Sequence, residues 1–265
     1  SSNGQGGWTS RNLTTQIPDA PAIVGELTNF ISTDGHNVVA GRDADGDVVA
    51  YFQTGGLNVQ GQEIWEAENL YDILRDQNEP TPVFTSSLIS YVTSWNGLNI
   101  GGLDSNGNIW TIWTGGGLDG WHSTNLSAIT GAPTLVGGVT AYTTSWGGIN
   151  LAGIDTNGDL SVTWWVPQFG GNWANSNFSE QFGGPNLVPG TVTSYVTSWN
   201  ALNISAVDDT GEIVQYWWVP PSSPEQDTWN VTSLTGSLSP TLRRPTGGTL
   251  TCFATADSRL NLIGS

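Results

Sequence analysis

The chain has 265 residues, of which 37% are hydrophobic and only 11% charged, with 35 Gly, 14 Trp, no Met and no Lys. That composition excludes a disordered acidic tail and a long-helix protein, both of which need far more charge, and points to an all-β fold. The formal charge of −17, from 6 basic and 23 acidic residues, repels phosphate backbones and anionic membrane surfaces, so no nucleic-acid partner is expected.

From the amino end, Ser1 to Gly7 has no basic or apolar segment of the signal type. No stretch approaches the roughly 18 apolar residues of a membrane helix, so no membrane insertion is expected. The missing initiator Met and the Lys-free, Trp-, Thr-, Ser- and Asn-rich composition lead to the expectation of a processed protein that is secreted or on the cell surface. Trp8 opens the first of five strings of the form Trp-x-x-x-(Asn or Ser)-(Leu or Phe). The others begin at Trp65, Trp121, Trp173 and Trp229, so the string recurs at nearly constant intervals.

A second marker repeats in step with the first. A divergent copy runs from Asn29-Phe30 to Asp43-Ala-Asp-Gly46. Three clear copies follow, Ser90-Tyr-Val-Thr-Ser-Trp95 to Asp104-Ser-Asn-Gly107, Ala141-Tyr-Thr-Thr-Ser-Trp146 to Asp155-Thr-Asn-Gly158, and Ser194-Tyr-Val-Thr-Ser-Trp199 to Asp208-Asp-Thr-Gly211. A fifth, from Thr251-Cys-Phe253, reaches Ser265 before its Asp would come. Each unit reads as four short strands, in the second copy Tyr91 to Ser94, Asn99 to Leu103, Asn108 to Trp113 and Trp121 to Leu126, separated by Gly, Asn and Asp turns. Four antiparallel strands at a period of about 50 residues are the signature of a β-propeller blade. The expected architecture is one five-bladed β-propeller, with blades at about 27–87, 88–138, 139–190 and 191–247 and a last blade from 248–265 plus 1–26.

The composite last blade follows from alignment of Ser1-Ser-Asn-Gly4 with Asp104-Ser-Asn-Gly107. Gly4 and Trp8 are separated by far less chain than the equivalent Gly107 and Trp121, so about one strand is missing. Either that blade has three strands, or another chain supplies the third, or the natural chain is longer. An unpaired strand edge invites self-association.

The recurring Asp-x-Asn-Gly string has two readings. Hairpin chemistry alone selects it, because Gly supplies the positive φ and Asp caps the turn. Only Asp43, Asp45 and Asp47 offer enough carboxylate to keep calcium as an alternative to the expectation of no cofactor. Sequons occur at Asn12, Asn125, Asn177, Asn203 and Asn230; the first three share one repeat position, so common descent explains them without glycans. Cys252, the only cysteine, excludes an intramolecular disulfide and reads as a structural thiol. His36 and His122 lack any metal or triad spacing.

The tryptophans divide by position. Trp164-Trp-Val-Pro167 and Trp217-Trp-Val-Pro220 put consecutive rings on opposite faces of one strand, which suits packing between blades. Trp95, Trp146 and Trp199, on the first hairpin beside Asn96, Gly147 and Asn200, align with Asp34 and Asp257 in the other copies. A core position does not exchange Trp with Asp, so these indoles are expected at the surface. There they either stack on sugar rings, with Asn96, Asn200, Asp34 and Asp257 bonding hydroxyls, or cover the neighbouring blade. Asp34 and Asp257 are also the one carboxylate pair to consider for glycoside chemistry.

In its four-strand units of about 50 residues, its recurring Trp and Gly and its divided last blade, the repeat resembles lectin-type β-propellers. The resemblance implies a carbohydrate-binding module whose weak sites gain by avidity, with a glycan or glycoprotein as partner. It carries no ligand-contacting residues over, and a basic sugar clamp is not evident with six Arg. The alternatives are a structural or protein-interaction propeller of a larger surface protein, or a glycoside-active enzyme.

Overall fold

The computed structural model describes residues 10–115, 117–222, 228–237, 249–255 and 260–264. The chain forms two compact units, Ser1–Thr81 and Pro82–Ser265. In the first, a turn of helix α1 (Leu13–Gln16) precedes the antiparallel sheet β1 (Val24–Ile31), β2 (Asn37–Arg42), β3 (Val48–Leu57), β4 (Glu63–Asn69), and α2 (Leu70–Asp76) follows. Leu70 and Leu74 of α2 are fully buried. Arg75 bridges Asp47 and Asp72, each at 2.8 Å, and so ties α2 to the β2–β3 hairpin.

The second unit repeats this sheet three times: β5 (Ile89–Val92), β6 (Leu98–Leu103), β7 (Ile109–Gly115), β8 (Leu118–Asn125); then β9 (Leu135–Thr143), β10 (Ile149–Asp155), β11 (Leu160–Trp165), β12 (Trp173–Asn177); then β13 (Thr193–Val196), β14 (Leu202–Val207), β15 (Ile213–Trp218), β16 (Asn230–Ser233). A two-stranded sheet, β17 (Leu250–Ala254) and β18 (Leu260–Gly264), completes the described strands. The remaining parts of the expected composite blade, 1–9, 248, 256–259 and 265, lie outside the described residues.

Successive sheets in this unit stack face to face. Tyr91, Leu103 and Ile109 pack on Leu135, Val139 and Leu151, and Tyr142, Ile154 and Leu160 share a core with Leu202, Ile204 and Tyr216. The first strands stand side by side: Thr143 Oγ1 donates to Val92 O at 3.2 Å, Thr140 and Ser194 hydroxyls lie 2.8 Å apart, and Thr193 Oγ1 lies 3.1 Å from Cys252 Sγ. Burial pushes the Cys252 thiol up against the opposing Thr193 contact, in keeping with a structural role.

The structure adds an element that strand patterning missed: each fourth strand runs into a one- or two-turn helix, α3 (Leu126–Thr130), α4 (Phe178–Phe182) and α5 (Leu234–Ser237) in the second unit. The Asn or Ser of the repeated Trp string is its N-cap. Asn125 accepts from Ala128 N at 2.8 Å, Asn177 from Glu180 N at 2.9 Å and Ser233 Oγ from Gly236 N at 3.0 Å. Two residues on, the hydroxyls of Ser127, Ser179 and Thr235 accept from the first N–H of the third strand, at 2.9, 2.9 and 3.0 Å. The recurrent sequon-like string is thus a cap followed by a buried acceptor.

The Asp-Gly strings are hairpins. Asp43, Asp104, Asp155 and Asp208 each accept two backbone N–H groups through Oδ1, at 2.8 to 3.0 Å, and the glycines have φ between 75° and 87°. At Asp104 burial alone would raise the carboxyl, but hydrogen bonds from Asn108, the Trp110 indole and Asn106 outweigh it and hold the group below its ordinary value. Because the folded pKa is the lower one, this stabilisation is present above the unfolded value near 3.8 and is lost as pH falls through the folded value. The melting temperature of Asp104→Asn is expected to fall less steeply than wild type between about pH 4 and 2.

One buried hydroxyl departs from the repeat. Tyr91 Oη lies 3.5 Å from Thr111 Oγ1, and Tyr195 Oη accepts from Gln215 Nε2 at 2.8 Å. Val162 stands at the equivalent place in the third copy, and the buried Tyr142 hydroxyl has no hydrogen-bond partner among the described residues. Tyr142→Phe should leave stability unchanged or raise it by about 1 kcal/mol, whereas Tyr195→Phe should cost about 1 kcal/mol, measured by denaturant unfolding.

Candidate functional site

The hairpin between β5 and β6 shows how the candidate tryptophans are presented. Asn96 N donates to Thr93 O at 3.0 Å, Thr93 N to Gly97 O at 2.9 Å and Gly97 N to Thr93 Oγ1 at 2.7 Å. The turn leaves Trp95 at its tip, followed by a residue in the left-handed region. Asn96 has φ 60°, Gly147 84° and Asn200 64°, so Asn and Gly interchange here because both tolerate that conformation. Thr144 and Thr197 repeat the hydroxyl bond at 2.7 and 2.8 Å.

Trp95 is 44% and Trp199 48% exposed, and Trp146 is half-buried. Trp95 meets Trp165 of the next sheet edge to face, with centroids 5.3 Å apart, and Trp146 meets Trp218 in the same way at 5.6 Å. The ring thus leans on the neighbouring blade and still faces solvent. Trp199 has no aromatic partner among the described residues.

Each of these two pairs borders a cleft between sheets, and Trp199 lines neither cleft. The first, of about 190 Å³, lies at Trp95, Trp113, Trp165 and Trp173; the second, of about 470 Å³, lies at the equivalent Trp146, Trp164, Trp218 and Trp229. In both, the inner indole is locked by the fourth strand: Trp113 Nε1 donates to Thr124 Oγ1 at 3.0 Å and Trp164 Nε1 to Ser176 Oγ at 3.1 Å. Threonine and asparagine side chains supply polar lining, Thr93 and Asn99 in one cleft, Thr144 and Asn150 in the other. Among the described residues no charged side chain lines either cleft. A rigid indole wall with neutral hydroxyl and amide groups at its edge suits a ligand that has an apolar face and a polar rim.

Sequence reasoning found the hairpin Trp of each cleft but assigned the paired tryptophans to packing alone and gave the fourth-strand tryptophans no role in a site. Trp165 and Trp218 do pack between sheets, and they form the opposite wall as well. Among the fourth-strand markers Trp121 is 5% exposed, whereas Trp173 and Trp229 are half-buried and line clefts.

No acidic candidate among the described residues lines either cleft. Asp34 sits on the β1–β2 hairpin, where Ser32 Oγ donates to it and His36 Nδ1 lies 3.1 Å from it. The Ser32 hydrogen bond, opposed by desolvation and helped by His36, holds its carboxyl below the ordinary value, which fits the ionised member of a glycosidase carboxylate pair and not its proton donor. Asp257 lies outside the described residues. Asp43 is committed to its turn and Asp47 to Arg75 and Asn69. Among the described residues no group of three or more acidic, His or Cys side chains is placed to hold a metal ion.

Four-stranded antiparallel sheets, stacked with their first strands adjacent, are β-propeller blades. The likeness to lectin-type propellers holds at the level of architecture. An Aleuria aurantia lectin variant in complex with Fucalpha1-6GlcNAc matches at TM-score 0.55 and 12% identity, over 89% of this chain and 70% of that one. A lectin from Burkholderia pseudomallei matches at TM-score 0.58 and 17% identity, over 89% of this chain and 65% of that one. The Aleuria aurantia lectin described as a six-bladed β-propeller matches at TM-score 0.50 and 12% identity, over 89% and 69% of the two chains. This chain thus spans between 65% and 70% of their length. No protein-family model and no curated protein matches the sequence. No helix among the described residues is long and apolar enough to cross a membrane.

Proposed function

We propose that the protein is a carbohydrate-binding propeller of lectin type that engages glycans in the clefts between adjacent blades. The observation that carries this reading is the recurrence of one neutral, Trp-walled cleft at two successive junctions. An indole covers the C–H face of a pyranose, while Thr and Asn groups exchange hydrogen bonds with its hydroxyls. Repetition turns weak single sites into avid binding to a multivalent glycan or glycoprotein. The three lectin folds support the reading, and the Lys-free acidic composition supports an extracellular or surface location. The same proposal takes the five repeats as five blades of one ring, supported by their spacing. It keeps self-association through the last sheet as part of the picture.

Isothermal titration with methyl α-L-fucoside and a panel of other methyl hexosides tests it, preceded by a glycan array. Binding should be in the weak range for each monosaccharide, and at least tenfold tighter for a multivalent display. Absence of binding on the array and in solution would sink the proposal.

A further inference from the structure

The two clefts are built alike but are not equal. The second has about 470 Å³ against about 190 Å³ for the first; small-molecule sites run from roughly 300 to 1,000 Å³. Its extra space is walled by Val166 and Phe169 from the loop between β11 and β12 and by Phe178 and Phe182 from α4. Phe178 replaces Leu126 of the first cleft, and the two phenylalanines of α4 stand edge to face at 5.1 Å.

Phe169 is the unusual member. It ends a single 3-10 turn, Pro167–Phe169, and stands edge-on to Trp164 at 6.0 Å while 70% exposed. The turn is anchored to the binding hairpin, since Gln168 Nε2 donates to Trp146 O at 3.3 Å. Phe169 thus presents a large apolar face to solvent at the mouth of the cleft.

The polar side differs too. Asn99 is 7% exposed and donates its amide to Gly97 O at 3.0 Å, and Asn203 repeats this to Ala201 O at 3.2 Å. Asn150, half-buried in the second cleft, makes no such bond among the described residues, and its amide lines the cleft. One end of this cleft therefore offers amide and hydroxyl groups, the other a phenylalanine-lined extension.

We infer that the Trp146 cleft binds a glycoside through both of its parts, the sugar at Trp146 and Asn150 and an apolar alkyl or aryl aglycone against Phe169 and Phe182. The inference rests on the carbohydrate reading and narrows it to a ligand class for one site.

Methyl and phenyl glycosides of D-glucose, D-galactose, D-mannose, N-acetyl-D-glucosamine and L-fucose, titrated against the whole chain, test it. For at least one sugar the phenyl glycoside should bind tenfold or more tightly than its methyl counterpart. Phe169→Ser should abolish that difference and leave methyl glycoside affinity within about twofold, because the ring is exposed and its loss does not disturb the core. Trp95→Ala should leave the difference intact. Equal affinities of the two series, or a phenyl preference that survives Phe169→Ser, would overturn the inference while carbohydrate binding stands. If neither series binds, both readings fall together.

Discussion

Trp146→Ala is expected to weaken glycan binding at its cleft by about 30-fold or more. Large aromatic residues at the centre of a site typically contribute about 2 kcal/mol or more on truncation, and a difference of about 1.4 kcal/mol is a factor of ten. Here the indole is one wall of the cleft, and it meets Trp218 edge to face at 5.6 Å. Removing it takes away the stacking surface and frees Trp218 to move. Trp95→Ala should have a similar effect at the first cleft, through Trp165. Trp199→Ala provides the comparison: its ring is 48% exposed and borders neither cleft, so monosaccharide affinity should change by less than twofold. Isothermal titration of the three variants with the best array ligand separates these outcomes. Unchanged affinity in both Trp95→Ala and Trp146→Ala would remove the clefts from consideration as sites. On a multivalent surface the double variant should lose much more than either single one, because avidity multiplies the individual losses.

Gly184→Ala is expected to be the more damaging change to the fold, at about 3 kcal/mol or more. An added Cβ would lie 1.6 Å from Tyr216 Oη and 2.5 Å from Cζ. Tyr216 cannot yield: it is fully buried, and its hydroxyl lies 2.9 Å from Ser179 Oγ. Ser179 Oγ in turn accepts Leu160 N at 2.9 Å, so the collision would be passed to the third strand of the preceding sheet. Gly183→Ala is the control. That residue caps α4 at φ 71° with nothing within 4 Å of an added Cβ, and the left-handed conformation alone should cost about 1 kcal/mol. Adding Tyr216→Phe to Gly184→Ala should recover part of the loss but not all, since the ring carbon remains in the way. Urea unfolding midpoints measure all four proteins. Equal losses for the two glycine variants would show that backbone conformation, not the Tyr216 contact, governs this turn.

The repeat, the four-strand units and the hairpins could be read from residues because each is a local matter. Asp-x-Asn-Gly and Thr-Ser-Trp-Asn specify turns through φ preferences and side chains that bond backbone a few residues away, and alternation fixes which face of a strand is buried. The one-turn helices were legible in principle as well. The Asn or Ser followed by Leu or Phe is an N-cap before a buried residue, but so short a helix carries too little periodicity to declare itself. The tryptophans were the opposite case. Trp165 is close to Trp95 only because the hairpin of one sheet reaches the third strand of the next, more than a full repeat along the chain. No pattern within a repeat records which rings end up sharing a cleft.

By itself, then, the order of residues determined the unit, its turns, its caps and the place of the indoles on the first hairpin, since these depend on contacts within a single repeat. Tertiary structure alone decided that rings from neighbouring units face one another across a neutral cleft, and that one such cleft is more than twice as large as the other. The reason is geometric: stacking sheets brings together side chains whose separation in sequence is a full repeat, and the loop carrying Phe169 meets its neighbours only there.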